Sequence, residues 1–514
     1  MKKLRIFFAM MLVVALLCSA AALPVAAADN VVSGEWGDLT WELDKTTWHL
    51  TISGSGEMES FPYSSSVDGW RIHKDSVQIV SIDADVTSLG NYAFYAFENL
   101  TSVTLGENSR ITDIGSYAFA GCEKLESLEI PEGVTAIGNY AFNGCKQLTG
   151  VSIPSAVSYI GDNAFTDCEG LIEQVSGVKY VGQWAVACDE SVTSAVLRDG
   201  TVGIGESAFA FCGGVESITL PSSLAYISDY AFLYCESLAG IEVPASVTKI
   251  GHAAFSGCAA LAEIEVEEGN SVYHSNGNCL IKTADKTLIA GCSTSVIPSD
   301  GSVTSIGESA FEECVELTSI EIPSSVTRVA SSAFLGCISL IRTEKGVDYV
   351  EGWVVSCEPS AETAVLASDT VGIADGAFAS CKYLEKVQYM GCKTAWDAVK
   401  VGLDNENLTA VLEYVGHAVT SWTVTVEATE DADGSREGVC VCGEKVTEVI
   451  PKLPKPEEPV ASDDAATTED GGFIAKVKAL IPGCQSVTGG ALSVALVSLS
   501  AALVAMKKKK TEES

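Results

Sequence analysis

The feature that most constrains this chain is a motif that returns about every 23 residues. Two adjacent copies, Ile114 to Pro131 and Ile137 to Pro154, share the frame I-G-x-x-A-F-x-x-C-x-x-L-x-x-x-x-I-P. Its phenylalanine recurs at Phe165, Phe209, Phe232, Phe255, Phe311, Phe334 and Phe378, and an early copy has Phe94 with Phe97 in the cysteine position. One unit of this size cannot bury its own apolar face, whereas stacked units can. The sequence therefore predicts a solenoid of stacked coils.

The end of each unit predicts a β-strand. In the Leu-x-x-Ile-x-Ile pattern the last apolar residues alternate with polar ones, so they face one side of a strand. The A-F-x-x-C piece fits a short turn or helix on the opposite side of the coil. Proline directly after the strand ends the ladder where no N–H is needed, and the glycine after isoleucine suits a tight bend. We therefore expect an α/β repeat solenoid with one long parallel sheet.

A longer repeat, with an offset of 169 residues, is superimposed on the short one. Trp184 matches Trp353 and Cys212 matches Cys381 at this offset. The match predicts a tandem duplication of a block of about seven units, in which the two Tyr/Trp units are shorter variants. A longer variant from Asn270 to Pro298 interrupts the period and is expected to bulge from one face.

The first 28 residues predict a secretory signal. Three basic residues precede an apolar run from Ile6 to Leu17, and small residues follow as far as Ala28. This order of charge, apolar run and A-x-A site is the layout of a cleaved export signal. The mature chain is therefore expected outside the cytoplasm.

The other end of the chain predicts a membrane anchor. Residues 489–506 carry no charge, and Lys507 to Lys510 follow at once. A helix of this length spans roughly 27 Å, enough for a bilayer core, and the lysines hold the tail on the cytoplasmic side. Sortase linkage to the cell wall is the alternative, although only Thr488-Gly489 of the usual Leu-Pro-x-Thr-Gly is present. We expect a cell-surface protein with an extracellular repeat domain.

The repeat frame resembles that of BspA-type leucine-rich-repeat surface proteins, and it covers about Leu89 to Gln388. The segments W-E-L from Trp41 and L-T-I-S-G-S-G from Leu50 resemble the β-rich N-terminal cap of such proteins. The segment Y-M-G-C-K-T-A-W from Tyr389 resembles the unit that closes the array. The resemblance implies attachment to host or matrix proteins, or coaggregation with other cells. It implies neither an enzyme nor a particular ligand.

These observations divide the chain into successive segments. They are a signal peptide at 1–28, a β-rich cap at 29–88, a leucine-rich-repeat solenoid of about 12 to 13 units at 89–390, a closing unit at 391–416, a small C-terminal module at 417–451, a spacer at 452–488, a transmembrane anchor at 489–506 and a cytoplasmic tail at 507–514. The spacer is rich in Pro, Glu, Asp, Ala and Thr, which is typical of a flexible linker.

The cysteines follow the repeat. Nine of them occupy the same position in successive units, namely Cys122, Cys145, Cys168, Cys212, Cys235, Cys258, Cys314, Cys337 and Cys381. We expect these to stack as a structural ladder of buried free thiols, although an exported chain leaves inter-coil disulfides as the alternative. Cys279 and Cys292 stand outside the frame and are better candidates for a disulfide.

The segment from His417 has a different composition and resembles a short module of surface proteins from Gram-positive bacteria. Cys440, Cys442 and His417 could form part of a zinc site. Zinc sites usually place paired cysteines two to four residues apart and supply four ligands. Because one residue separates these cysteines and no fourth ligand is evident, the sequence favours a local pair or free thiols. Neither a metal site nor any other cofactor is predicted.

The composition excludes several classes of function. A net charge of −37 disfavours nucleic acid as a partner, since phosphate backbones require clustered Lys and Arg. The chain has five histidines, and it lacks a Gly-x-Ser-x-Gly elbow, a P-loop and a His-Glu-x-x-His motif. No block of a hundred or more residues remains for a catalytic domain. We therefore expect a protein that is not an enzyme.

The residues between the apolar positions of each strand are expected to point outward. They include five glutamates that are candidate binding residues, namely Glu129, Glu242, Glu263, Glu265 and Glu321. Since adjacent strands lie about 4.8 Å apart, Glu242, Glu263 and Glu265 are expected to form an acidic patch. The patch is either a solvated face or a surface for a basic protein segment or a divalent cation such as calcium.

Two functions remain open. The first is adhesion, in which the chain binds an extracellular protein or a cell-surface ligand. The second is a structural coat, in which neighbouring copies of the chain assemble with one another. Ligand sensing would require a cytoplasmic output domain, and the tail at 507–514 is too short for one.

Overall fold

The computed structural model of the protein describes residues 30–63, 68–409, 411–417 and 419–453. Among these, the helical segments are short: the α-helices α1 (Lys393–Trp396) and α2 (Glu406–Thr409) and a 3-10 helix at Gly69–His73. The predicted solenoid of parallel strands is confirmed, whereas its α/β class is wrong, because the described chain folds as a β-solenoid with almost no helix. None of its helices is long and apolar enough to cross a membrane. The predicted signal (1–28), anchor (489–506) and tail (507–514) lie outside the described residues, as does the spacer beyond Leu453.

Most coils contribute a strand to each of two sides of the solenoid. The leucine side, formed by the ends of the Leu-x-x-Ile-x-Ile pattern, comprises Ile79–Ile82, Ser102–Leu105, Ser127–Leu128, Gly150–Val151, Ser194–Val196, Ser217–Thr219, Gly240–Val243, Glu263–Val266, Thr363–Leu366, Lys386–Tyr389 and Leu412–Tyr414. These strands pair in parallel within four separate sheets. The expectation of one long sheet is therefore wrong.

The isoleucine side carries the strands that end at or beside the isoleucine of the I-G motif. They are Gly56–Glu57, Val86–Leu89, Asp113–Ile114, Ala136–Ile137, Tyr159–Ile160, Gly203–Ile204, Tyr226–Ile227, Lys249–Ile250, Ser305–Ile306, Arg328–Val329, Gly372–Ile373 and Lys400–Val401. Neighbouring strands are again parallel and pair equivalent residues, as in Ile114 beside Ile137 and Ile137 beside Ile160. The two sides together enclose the apolar interior.

The A-F-x-x-C segment is a series of turns rather than a helix. In one unit Tyr117 and Gly121 have φ values of 58° and 75°, and left-handed residues cannot continue a right-handed helix. Alternate amides consequently donate to the next coil, as the Phe119 N–H does to the Ala141 carbonyl at 2.8 Å. The intervening amides bond three residues back along the chain. A backbone ladder therefore runs through the turns as well as through the strands.

The glycine after isoleucine has a different role from the tight bend that the sequence suggested. Gly138 is not among the residues with positive φ. A Cβ atom at this position would lie 2.6 Å from the Ser116 nitrogen and 2.8 Å from the Gly115 carbonyl carbon. A Cβ atom on Gly115 would likewise lie 2.6 Å from the Leu89 carbonyl oxygen. Glycine thus suits this position in coils where the neighbouring coil approaches closely, although Ser228, Ala330 and Ala374 occupy it in others.

Antiparallel meanders, each of three consecutive strands, begin and interrupt the array. Their strands are Val31–Trp36, Leu39–Asp44 and His49–Gly54; Glu173–Val175, Val178–Val181 and Trp184–Cys188; Tyr273–Asn276, Cys279–Lys282 and Thr287–Ala290; and Arg342–Glu344, Val347–Val350 and Trp353–Cys357. The first is the N-terminal cap, and the others replace the variant units seen in the sequence. The third strand of each meander pairs in parallel with the next strand of the solenoid.

The two copies of the 169-residue block make the same contacts. The Tyr180 hydroxyl accepts the Arg198 N–H at 3.3 Å, and its counterpart Tyr349 accepts the Ala367 N–H at 3.1 Å. The ring of Trp184 lies against Gly203 as the ring of Trp353 lies against Gly372. A Cβ atom on either glycine would come within 2.5 Å of the indole. The two meanders that contain Trp184 and Trp353 therefore dock by inserting a tryptophan where the facing strand has no side chain.

The apolar core of the described residues forms three clusters. They extend from Leu39 to Trp184, from Val178 to Cys292 and from Cys279 to Leu408. Phenylalanine rings stack along the core, with the rings of Phe119 and Phe142 centred 5.4 Å apart and inclined by 9°. The clusters meet at two of the meanders: Val178 and Val181 belong to different clusters, as do Leu280 and Ile281.

The C-terminal module is a further antiparallel sheet of Val419–Val426, Gly434–Cys440 and Lys445–Ile450. Apart from the loop 428–432, it belongs to the same compact unit as the array. Among the described residues, this loop and 451–453 form a second unit, in which the Thr429 amide donates to the Ala432 carbonyl at 2.9 Å.

Candidate binding surface

Three of the candidate glutamates lie together on the leucine side. Strands Gly240–Val243 and Glu263–Val266 pair in parallel, with Glu242 directly beside Glu265 and Gly240 beside Glu263. All three carboxylates are exposed, whereas the alternating residues Ile241 and Ile264 are buried. The pleat of the two strands thus separates an acidic outer face from an apolar inner face. We name Glu242, Glu263 and Glu265 the acidic patch.

A shallow depression adjoins the acidic patch. It has a volume of about 230 Å³ and is lined by Ile218, Thr219, Leu220, Ser222, Glu242, Pro244 and Glu267. The Glu267 carboxylate accepts the Ala245 N–H at 2.9 Å, which fixes this fourth glutamate at the rim. The surface therefore combines carboxylates with the partly buried side chains of Ile218 and Leu220.

The other two candidate glutamates do not join the patch. Glu129 is exposed but follows the end of strand Ser127–Leu128, which belongs to a different sheet. Glu321 is exposed beside residues that form no regular strand in the described chain. The five candidates therefore resolve into one patch of three and two separate positions.

The electrostatic balance of the patch differs from that of the C-terminal part of the leucine side. There Lys386 forms an ion pair with Glu413 at 2.7 Å. In the described part of the chain, no basic side chain forms an ion pair with Glu242, Glu263 or Glu265. Three negative charges on paired strands repel one another mildly. The patch is consequently able to accept positive charge from a partner.

The repeat cysteines line the interior rather than the surface. Eight of the nine are buried and Cys314 is partly buried. Six of the thiols donate to a phenylalanine carbonyl in the preceding coil, as Cys168 does to Phe142 at 3.1 Å. Burial raises the pKa of Cys258 and of Cys337 to about 12. These thiols stay protonated near neutral pH, which suits packing and not chemistry.

No disulfide joins the cysteines of the described residues. The disulfide expected between Cys279 and Cys292 is not formed, and both are buried thiols. The Cys279 thiol donates to the carbonyls of Gly277 and Val296, and Cys292 donates to that of Asn278. Each thiol thus forms its hydrogen bonds with backbone carbonyls of the longer variant unit.

A model of the BspA type leucine rich repeat region matches six copies in the chain, over residues 72–185, 179–300 and 282–395. These ranges run without a break over more than half of the chain. The chain belongs to the BspA-type leucine-rich-repeat family. The resemblance seen in the sequence is therefore confirmed.

Solved structures include several similar proteins. A leucine-rich repeat protein from Eubacterium ventriosum is 22% identical, with 60% of this chain and 95% of that chain covered and a TM-score of 0.29. A leucine rich cell surface protein from Faecalibacterium prausnitzii is 21% identical, covering 74% and 100%, with a TM-score of 0.27. The pneumococcal vaccine antigen PcpA is 16% identical, covering 75% and 89%, with a TM-score of 0.31. No curated protein matches the chain significantly.

One polar arrangement of this BspA-type array escaped the sequence analysis. The side-chain oxygen of the residue after the I-G position accepts a hydrogen bond from the backbone N–H of the equivalent residue in the next coil. Asn139 accepts the Asp162 N–H at 3.2 Å, and Asp229 accepts the His252 N–H at 2.8 Å. His252 is partly exposed and lies 3.8 Å from the Glu308 carboxylate. The recurrence of Asn, Asp and Glu at this position was the available signal.

The same position carries acidic residues beside the first Tyr/Trp meander. The Tyr159 hydroxyl donates to the Glu206 carboxylate. Burial raises the pKa of Asp162 and of Glu206 above that of an exposed carboxyl. At the position equivalent by 169 residues, Arg328 pairs with Asp375 at 2.6 Å. These contacts join coils on either side of a meander, so their primary role is structural.

Proposed function

We propose that this BspA-type protein is a non-catalytic, adhesin-like cell-surface protein that binds other proteins or cells through the acidic patch. The observation that carries the proposal is the direct pairing of Glu242 with Glu265, beside the exposed Glu263. Such an arrangement costs stability in the absence of a partner, because like charges on adjacent strands repel. A partner bearing Lys or Arg would remove that repulsion on contact.

The chemistry of the surface favours a basic segment of an extracellular protein. The carboxylates supply positions for charged hydrogen bonds with Arg or Lys, and the adjoining depression offers space for an apolar side chain. The net charge of −37 would attract such a partner over a range set by the ionic strength. A calcium ion between carboxylates and an acidic partner would give a second mode of contact.

Display outside the cell completes the proposal. The charged start and apolar run of residues 1–28 support export, and the uncharged segment 489–506 with its lysine tail supports retention in the membrane. The repeat domain would then face the surroundings, where matrix proteins and neighbouring cells are available. Sortase linkage to the cell wall would give the same exposure.

The first test measures binding of the purified full chain to immobilised matrix proteins, mucins and whole bacterial cells, with and without calcium. A variant with Glu242, Glu263 and Glu265 all changed to Gln should bind its partner about tenfold more weakly, since exposed charge pairs contribute up to about 1 kcal/mol each. The matched control changes Glu107, Glu169 and Glu190 to Gln, because these exposed glutamates lie away from the patch and alter net charge equally.

The two variants separate a local contact from a general charge effect. Equal losses in both would contradict a role for the acidic patch. Binding to no member of the panel, together with self-association of the chain in size-exclusion chromatography, would instead favour a structural coat. A requirement for calcium would indicate contact through a bridging cation.

A further inference from the structure

The closing unit and the C-terminal module bring three cysteines together. The Sγ atoms of Cys392, Cys440 and Cys442 all lie within 4.8 Å of one another. The sulfur atoms of Cys440 and Cys392 are 3.4 Å apart. Cys440 is 2% exposed and Cys442 faces solvent, so the cluster lies at the boundary between interior and surface. Sulfur atoms spaced in this way can bind one soft metal ion.

A histidine and a glutamate extend the cluster. The Nδ1 atom of His417 lies 3.7 Å from the Sγ atom of Cys442. Its other ring nitrogen, Nε2, lies 3.5 Å from the Glu444 carboxylate. His417, Cys442 and Glu444 therefore form a second group that shares Cys442 with the three cysteines. The Nδ1 atom of His417 faces Cys442 and is the candidate ligand atom, whereas its Nε2 atom faces Glu444, which can orient the ring.

We propose that Cys392, Cys440, Cys442 and His417 bind a single structural zinc ion. Tetrahedral zinc with Zn–S bonds of about 2.3 Å and a Zn–N bond of about 2.0 Å separates two sulfur ligands by about 3.8 Å, and sulfur from nitrogen by about 3.6 Å. The separations of 3.4 Å between the Cys392 and Cys440 sulfur atoms and 3.7 Å between His417 Nδ1 and the Cys442 sulfur agree with this geometry to within a few tenths of an ångström. The imidazole does not lie within 4.8 Å of both the Cys392 and the Cys440 sulfur atoms, so it must turn toward them when the ion binds. Three thiolates and one imidazole form a ligand set that zinc prefers.

The contacts around the cluster match those of an outer shell. The Cys442 N–H points to the Cys440 sulfur at 3.5 Å, so it can stabilise a thiolate. The turn that carries both cysteines is closed by a bond of 2.7 Å from the Gly443 amide to the Cys440 carbonyl. Gly443 has a φ of 89°, a conformation that few other residues adopt. Glu444 lies 3.5 Å from Nε2 of His417, so it can accept that N–H and favour the tautomer that leaves Nδ1 for the metal.

The location of the cluster indicates what the ion does. Cys392 immediately precedes helix α1 of the closing unit, whereas Cys440 ends strand Gly434–Cys440 of the C-terminal module. A bound ion would therefore fasten the module to the last unit of the array. Structural zinc contributes its binding energy to folding, and it would protect the apolar end of the array from solvent. This role is independent of the acidic patch.

The test uses the full chain, stripped of metal by a chelator under reducing conditions and titrated with Co²⁺. One Co²⁺ per chain should give the strong visible bands of tetrahedral cobalt and a sulfur-to-cobalt charge-transfer band. One equivalent of Zn²⁺ should remove both. Zinc should also raise the melting temperature of the stripped chain.

Variants at exposed positions keep the test informative, because they leave the buried Cys440 in place. Cys442→Ser and His417→Gln should each weaken Co²⁺ binding by more than about 100-fold, the upper range for loss of an outer-shell partner, whereas Glu444→Gln should weaken it by about tenfold. Cys314→Ser is the matched control, since this partly buried thiol lies outside the cluster and should leave the bands unchanged.

Several results would overturn the proposal. One is the absence of tetrahedral cobalt bands at one equivalent, and another is their persistence in Cys442→Ser. A third is a disulfide between Cys392 and Cys440 in the chain isolated without reductant, which peptide mass spectrometry would identify. None of these results would affect binding through the acidic patch, so the two proposals fail separately.

Discussion

The thiol of Cys145 donates a hydrogen bond to the backbone carbonyl of Phe119 in the preceding coil, over 3.2 Å. Cys168 makes the same contact with Phe142, and Cys235 makes it with Phe209. The position therefore requires a side chain that is small, apolar enough for the core and still able to donate. Cysteine meets all three conditions, which explains its recurrence without any need for disulfides.

We predict that Cys145→Ala lowers the free energy of unfolding by about 1–3 kcal/mol. The substitution removes the thiol donor to the buried Phe119 carbonyl, which retains the Cys122 N–H, and creates a small cavity. Ser127→Ala, at an exposed position on the leucine side, should change stability by less than about 0.5 kcal/mol. Guanidinium denaturation followed by circular dichroism measures both. Equal effects of the two substitutions would show that the thiol contact contributes little.

The buried thiols also predict a loss of stability at alkaline pH. The pKa of Cys258 and of Cys337 is raised by burial to about 12 from an ordinary value of 9.0. Between these values the unfolded chain releases thiol protons that the native chain retains. Stability should thus be constant below about pH 8 and should fall as the pH rises from 9 to 12, by about 1.4 kcal/mol per pH unit for each such thiol.

Denaturation midpoints at a series of pH values from 7 to 11 test this dependence. The double variant Cys258→Ala, Cys337→Ala removes two of the groups, so its stability should decline less steeply above pH 9 than that of the parent chain. An unchanged slope would assign the alkaline transition to other groups, such as the tyrosines.

The close packing of coils predicts that Gly138→Ala destabilises the array by about 1–3 kcal/mol, the usual cost of overpacking. The added methyl would lie 2.6 Å from the Ser116 nitrogen, so one coil must move away from the next. Gly133→Ala is the control, because its Cβ would meet only the Ile111 carbonyl oxygen at 3.5 Å. Thermal unfolding compares the two, and a similar melting temperature for both variants would contradict the steric explanation.

The ion pair of Arg328 with Asp375 predicts a measurable coupling across the second Tyr/Trp meander. Their side chains meet at 2.6 Å, and the Asp375 side chain is 7% exposed. Arg328→Ala should cost about 1–3 kcal/mol, below the range for fully buried pairs because the arginine is half exposed. The pair Arg328→Tyr, Asp375→Glu copies the equivalent Tyr159 and Glu206, and it should recover most of this loss. A double variant no more stable than Arg328→Ala would show that the two blocks are not interchangeable here.

Much of the fold was predictable because the repeat itself marks the buried positions. The alternation at Ile241 and Glu242 places one side chain inside and the next outside, as the structure shows. The conformation of the turns was harder to predict, since nothing about the residue type of Tyr117 indicates a φ of 58°. In that conformation the amides of the segment donate to carbonyls of the next coil, as Tyr117 does to Asn139, and a single unit does not contain these acceptors. The helix considered for this segment was therefore wrong, because it was inferred from one unit alone, whereas contacts between units determine the backbone conformation.

The two Tyr/Trp meanders carried a signal that was misinterpreted as shortened repeats. Gly177 and Gly182 bracket the strand Val178–Val181, and both have positive φ, as glycines in tight hairpin turns often do. The alternation of Val178 and Tyr180 between them is the pattern of a hairpin strand. Matching these residues to the repeat frame concealed the change from parallel to antiparallel pairing.

The cysteine cluster could not be completed from the sequence. Cys392 lies 48 residues before Cys440, and it belongs to the closing unit rather than to the module. Only the packing of the module against that unit brings the two sulfur atoms together. A search restricted to spacing within one segment therefore finds Cys440, Cys442 and His417 and overlooks the fourth ligand.

The meanders that divide the core have a mechanical consequence. In the strand Cys279–Lys282, Leu280 packs into the second cluster while Cys279 and Ile281 pack into the third, so the strand is a partition with a dry face on either side. A surface protein that tethers a cell is pulled from its ends, and sections in series carry the same tension. We expect the three parts of the array, one around each core cluster, to unfold one at a time under tension. An unfolded part would lengthen the tether while the remaining parts stay folded.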